Sequence, residues 1–257
     1  MSSQGPIDAM LSDASKLLSQ EIPENDKEKL ILENYDEMIK EYEILRKPNG
    51  ANSNSPALTC HHLFVHHPEL GSGFYYVDPN EGSTKDSLLA FCERSDRSTC
   101  IVPEKTEIPL DNYQPVTRNG YSWYSEIINN DNFFRYKISS IQLNMLQLLS
   151  SNAHQNLTYS CQNSIAFFDS TQNSYSKAIK LMANDETEIL AMSSNPKMKY
   201  KVTVDECKQS LGEKVGKTIF VYETKDPKRL PLLDIGLRDI GQLNQRFGLK
   251  LGPVCFS

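Results

Sequence analysis

Hard oxygen ligands crowd one short stretch of this 257-residue chain, Asp78-Pro79-Asn80-Glu81-Gly82-Ser83-Thr84-Lys85-Asp86. Side-chain oxygens stand at its first, third and ninth positions, around a glycine that permits a tight turn. Calcium takes about six to eight such ligands, drawn from carboxylates, amides and backbone carbonyls. The spacing is not that of an EF-hand, because the twelfth position is Leu89 where that motif has glutamate. Residue types alone leave two readings: a calcium loop, or a polar turn capping a helix over Ser87 to Phe91.

A second group holds four of the five histidines, His61, His62, His66 and His67. His62 and His66, four residues apart, suit a shared metal on a helical turn. No acidic residue stands between them, so the general base of an H-E-x-x-H zinc hydrolase is missing. The other reading is a set of surface or partner-facing histidines. Gly212 to Thr218 imitates a phosphate loop but is one residue short. The residues directly after it, Ile219 to Tyr222, read as a strand and not as the helix whose N-terminus would hold phosphate. With no G-x-S-x-G elbow and no cysteine–histidine nucleophile pair, the sequence points away from an enzyme.

The six cysteines, Cys60, Cys92, Cys100, Cys161, Cys207 and Cys255, form no C-x-x-C pair. Their even number fits disulfides in an oxidising compartment, or else free buried thiols in a cytosolic protein, and spacing leaves the pairing open. Asn156-Leu157-Thr158 is a glycosylation sequon, which agrees with secretion. Net charge is −6, without a basic stripe interleaved with aromatics, so nucleic acid is not expected as a partner. No apolar run is long enough to span a membrane. Met1 to Pro6 lack the features of a secretory signal, so that signal is expected upstream, with Met1 marking a fragment boundary.

Around these residues the chain divides in two. Met10, Leu11, Ala14, Leu17 and Leu18 predict a first helix, ended or kinked at Pro23. Ile31, Tyr35, Met38, Tyr42 and Leu45 then step by fours and threes, the seam of a coiled coil or the face of an amphipathic helix. Pro48-Asn49-Gly50 stops that helix, and a polar linker comes next. Beyond Cys60 the pattern predicts strands at Phe74–Val77, Ser164–Phe168, Tyr200–Val204 and Thr218–Tyr222, and a helix over Ile138–Ser150. Without a regular βαβ rhythm the expected class is α+β.

Taken together these segments resemble the C-terminal non-collagenous propeptide domain of fibrillar procollagens. The likeness lies in Tyr75-Tyr76-Val77-Asp78-Pro79-Asn80-Glu81-Gly82, in the run from Gln155 to Ser164 around the sequon, and in Val202-Thr203-Val204-Asp205-Glu206-Cys207. Arg229-Leu230-Pro231 with Asp234, then Phe247-Gly248 and Gly252-Pro253-Val254-Cys255-Phe256, extend it to the end. It covers about Cys60 to Ser257.

The resemblance implies a trimer: a coiled-coil stalk at 1–48, a linker at 49–59 and a disulfide-stapled fibrillar collagen C-terminal domain with a fibrinogen-like petal at 60–257. It implies structural Ca2+ held by Asp78, Asn80 and Asp86, with backbone carbonyls of Glu81 and Ser83. It implies the pairs Cys60–Cys92, Cys100–Cys255 and Cys161–Cys207, and glycosylation at Asn156. The partners would be two further procollagen chains, homotypic or heterotypic, and a tolloid-type processing metalloproteinase cutting near residues 7–13, before Asp8 or Asp13. The function would be chain selection and registration ahead of triple-helix folding, in a protein of the extracellular matrix. Gly5-Pro6 would be the trace of a Gly-X-Y tract. His66 and Ser83 occupy the positions where the family places its interchain cysteines, so trimerisation would be noncovalent, with His66 at a subunit junction. The alternative is an extracellular fibrinogen- or lectin-like module that uses its calcium to bind a ligand.

Overall fold

The computed structural model describes residues 24–117, 120–129, 134–210 and 212–257. The expected helix around Met10–Leu18 and the cleavage candidates Asp8 and Asp13 lie outside them. The chain forms two units, Met1–Asn49 and Gly50–Ser257.

In the first unit, α1 runs over Glu24–Arg46. Its interior is built from Glu, Lys, Leu and Ile, with neither glycine nor proline, and Pro48 lies just beyond its end. Lys29 and Glu33 make an i,i+4 ion pair at 3.9 Å. Ile31, Tyr35, Met38 and Tyr42 are each more than half exposed, and Leu45 lies in the same helix. What is shown is a single helix, not a coiled coil.

The second unit begins with α2 (Cys60–His66), capped by the Thr59 hydroxyl, which accepts from the His62 amide at 3.4 Å. After it come β1 (Gly73–Val77), β2 (Leu88–Glu93), β3 (Ser98–Ile101), β4 (Glu107–Asp111), β5 (Ser122–Trp123) and α3 (Tyr124–Ile128). Next are α4 (Ser140–Leu148), β6 (Ala153–Gln162), β7 (Lys180–Met182), β8 (Glu188–Ile189) and β9 (Lys201–Asp205). The last elements are β10 (Gly216–Thr224), β11 (Asp234–Leu237) and β12 (Arg246–Phe256). Among the described residues these strands make two antiparallel sheets. The larger runs β1-β2-β3-β12-β6-β10-β9 with β4 also on β12, and the smaller runs β5-β11-β7-β8. The domain is therefore mainly β, with short helices at its periphery.

Alternation explains the larger sheet. In β6, Ala153, Gln155, Leu157, Tyr159 and Cys161 are buried while the residues between them turn outward. Tyr159 stacks on Phe247 of β12 with ring centroids 5.5 Å apart, and Leu157, Phe220 and Leu251 are buried in the same core. Gln155, also buried, donates to Tyr136 Oη at 2.7 Å and Gly252 O at 3.0 Å, and accepts from Leu232 N at 2.9 Å. A satisfied amide of this kind ties the sheet to the segment entering β11 without an unpaired polar group.

Three expectations differ from the structure. Ser87–Phe91 is not a helix; Leu88, Ala90 and Cys92 are buried at every second residue, and the segment enters β2. Ser164–Phe168 is not a strand. Asn163 takes a left-handed φ of +58° directly after β6, and the Ile165 amide then donates to Asp239 Oδ2 at 2.7 Å instead of to a ladder. The polar stretch expected as a linker is stitched to β1 from Gly50 onward: Tyr76 N donates to Gly50 O at 2.8 Å and Ala57 N to Tyr76 O at 3.0 Å.

Candidate cation loop

The loop joins β1 to β2, so its two ends are held by the β1–β2 ladder, with Val77 opposite Leu88. Its entry is fixed by the Asp78 amide, which donates to Ala57 O at 2.8 Å. The Glu81 amide then donates back to Asp78 O at 3.3 Å, and the chain reverses through φ of +52° at Glu81 and +94° at Gly82. Gly82 takes that conformation without the steric cost a side chain would add. A 3-10 turn, Thr84–Asp86, brings Asp86 back toward the start, where Asn80 Nδ2 donates to Asp86 Oδ2 at 3.1 Å. Gln142 of α4 donates to Asp86 O and anchors the turn from outside.

Acceptors outnumber donors here. Asp78 is only 5% exposed, and both Asp78 Oδ1 and Asn80 Oδ1 are buried without a hydrogen-bond partner. Burial, and after it the charge of Asp86, pushes the Asp78 carboxyl above the ordinary carboxylate range. Two buried, unpartnered oxygens beside a second carboxylate are costly without a positive charge and favourable with one. Carboxylate, amide and carbonyl oxygens are the ligands a hard divalent ion prefers, so Asp78, Asn80 and Asp86, with carbonyls of Glu81 and Ser83, fit calcium.

The histidines are arranged otherwise. Cys60, Leu63 and Phe64 bury one side of α2, which leaves His61 and His66 exposed. His62 Nδ1 is engaged with Thr59 Oγ1 at 2.9 Å, and His67 Nδ1 with Glu69 at 3.3 Å. Burial, with the charges of His61 and His66 after it, holds the His62 pKa below its ordinary value. Among the described residues no three histidine, cysteine, aspartate or glutamate side chains converge on a metal position. Ser83, which the resemblance sets with His66 in place of an interchain cysteine, is exposed on the loop, where its hydroxyl accepts from Lys85 N at 3.4 Å.

Cys60–Cys92 ties α2 to β2, Cys100–Cys255 crosses the β3–β12 pair, and Cys161–Cys207 ties β6 to the turn after β9. These are the pairs the resemblance implies, and they use all six cysteines. Asn156 is exposed on the outer side of β6. Sequence reasoning missed Gln142, the outside anchor of the loop; its side chain comes from 56 residues away, and only tertiary structure reveals it.

A mainly β domain stapled by three disulfides, with a hard-oxygen loop between two of its strands, is of the class built for an oxidising, extracellular setting; no described helix is long and apolar enough to cross a membrane. The fibrillar collagen C-terminal domain family matches residues 27–256, and the chain belongs to that family. It is 39% identical over 223 residues to the collagen alpha-1(II) chain of Xenopus tropicalis, covering 83% of this chain and 15% of that one. Against the collagen alpha-2(I) chain of Oryctolagus cuniculus the identity is also 39%, covering 84% of this chain and 42% of the relative. The chain thus spans less than half the length of these relatives. It is a collagen domain of the secreted matrix class, and not an enzyme.

Proposed function

We propose that the domain is a procollagen C-propeptide that gathers three chains noncovalently and registers them so that triple-helix folding starts from one end. The observation that carries the calcium part of this reading is the pair of buried oxygens, Asp78 Oδ1 and Asn80 Oδ1, left without donors. Bound calcium supplies the missing positive charge and sets the loop between β1 and β2 in one conformation. Asp78, Asn80 and Asp86 hold it, and Gln142 keeps Asp86 in place.

The stripe Ile31, Tyr35, Met38 and Tyr42, exposed on a single helix, supports a stalk in which three copies of α1 bury it. The globular unit forms the base and a fibrinogen-like petal. Gathering three stalks makes pairing of adjoining collagen tracts intramolecular, which raises their effective concentration. With every cysteine in an intrachain bond, none remains for a bond between chains. Asn156, exposed on its strand, is the glycan acceptor, and a processing metalloproteinase releases the domain after assembly. Sedimentation velocity of the purified chain tests the reading: a trimer with calcium that dissociates with chelator is expected. An equal trimer fraction in both buffers would refute the calcium role, and a monomer in both would refute the assembly role.

A further inference from the structure

Three buried glutamines, Gln142, Gln147 and Gln155, each donate to a main-chain carbonyl distant in sequence. Their acceptors are Asp86 O, Leu230 O at 2.8 Å and Gly252 O at 3.0 Å. The first two stand on α4, separated by about 7.5 Å along its axis. One of them grips the cation loop, and the other grips the segment that enters β11. Among the described residues no strand of the smaller sheet pairs with β1 or β2. The helix is therefore a bridge by which the loop reaches that sheet.

Both ends of the bridge are fixed. Gln142 Oε1 accepts from the Ser139 hydroxyl at 3.3 Å, and the Gln142 amide donates to Ser139 Oγ at 3.2 Å. The Gln142 side chain cannot turn away without unpairing buried groups. Leu146, with no exposed surface, seats the helix in the core. At the far end, Leu230 follows the 3-10 turn Pro227–Arg229, and its amide donates to Pro227 O at 3.1 Å. Leu232 N donates to Gln155 Oε1 at 2.9 Å, and Leu232 O accepts from Tyr136 Oη at 3.1 Å. Leu233 N donates to Met182 O of β7 at 2.9 Å. This segment is thus held largely by bonds from other elements, and one of them comes from the helix that holds Asp86. A shift of α4 costs a buried hydrogen bond at one end or the other.

We propose that α4 couples the cation loop to the smaller sheet: calcium held by Asp78, Asn80 and Asp86 fixes the Asp86 carbonyl, Gln142 passes that restraint to the helix, and Gln147 passes it to the entry of β11. Both glutamines are positioning residues, since neither belongs to the ligand set given above. The inference rests on the calcium reading and extends it to a part of the fold outside the loop. Such coupling is reciprocal. A helix pinned at Leu230 presents Asp86 ready for the ion, so freeing that end lowers calcium affinity by the factor that calcium adds to the order at Leu230.

Hydrogen exchange of the full chain, with calcium and with chelator, tests this. In the wild type, calcium is expected to slow the Leu230, Leu232 and Leu233 amides at least about fivefold beyond any slowing shared with β9 and β10. In Gln147→Met, which removes the donor and keeps the volume, that excess should vanish while the loop amides stay protected. Calorimetric titration of the same variant with calcium should show affinity lowered by the factor lost in exchange. Protection from assembly is common to both proteins and drops out of the comparison. Should Gln147→Met not fold, Gln142→Met cuts the bridge at its other end and is expected to give the same loss. Equal excess slowing in either variant would overturn the coupling. Slowing of the wild-type loop amides with no excess at residues 230–233 would also overturn it, and would leave the calcium reading standing. A wild-type chain with no heat of calcium binding and no protection of its loop removes the calcium reading and this inference together.

Discussion

Asp234 carries a carboxylate into the smaller sheet, where it is 9% exposed and accepts from the Ser125 hydroxyl at 2.5 Å and the Ile235 amide at 2.8 Å. Burial raises its pKa, outweighing the hydrogen bonds that lower it. A carboxyl whose folded pKa exceeds its unfolded one holds its proton more tightly in the folded state. Its contribution to stability is therefore complete below the unfolded value, about 3.9, and is lost as pH rises through the folded value. Asp234→Asn does not titrate, so the variant's stability relative to wild type should increase from about pH 3 to about pH 7. Urea midpoints at both ends check this, and a gap that does not change with pH would exclude it. The same comparison of donors and acceptors, made at Asp78 and Asn80, has no internal solution, and this supports the proposal of a cation in the loop.

Among the elements, β12 is the most constrained, because it pairs with β3, β4 and β6. Gly248 sits where β4 crosses closest: a Cβ there would lie 2.9 Å from Ile108 O and 3.0 Å from Leu110 N. Both obstacles are backbone, so Gly248→Ala should cost about 1–3 kcal/mol through strand displacement. Chemical denaturation should show it as a lower midpoint, and an unaltered midpoint would mean that the strands yield freely. This crowding is not legible in the sequence, where Gly248 is only part of a terminal motif. Phe74–Val77 and Thr218–Tyr222 are legible as strands through their β-branched and aromatic content. Ser164–Phe168 has the same composition yet is irregular, because Asp239, 74 residues on, takes the Ile165 amide. Ser87–Phe91 reads as helical because a polar turn precedes it, although its burial has a period of two. The oxygen-bearing residues of the loop, Asp78, Asn80 and Asp86, can be read from the sequence; Gln142 and the stitching of Gly50 to β1 depend on residues distant in the chain and cannot.

For the whole molecule, three crosslinks restrain the unfolded chain over separations of 32, 155 and 46 residues. By chain entropy each contributes roughly 4–5 kcal/mol before strain, and the effects do not simply add. All are internal. A denaturing gel without reductant should therefore show a single-chain band even when the native assembly is a trimer, and a covalent trimer band would contradict intrachain pairing. In the proposed assembly, resistance to denaturant would then depend on noncovalent contacts between chains, not on the sulfurs within them.

The position of β12 has a further consequence for biosynthesis. This strand fills the middle of the larger sheet, yet it is the last of the described strands in chain order. Until residues 246–256 leave the ribosome, β3 and β6 have no neighbour between them, and Cys100 waits for a thiol 155 residues downstream. A chain that stopped before that point would leave the sheet open between β3 and β6 and Cys100 without its disulfide partner. Formation of the larger sheet and of this disulfide is thus tied to the arrival of the domain's last strand.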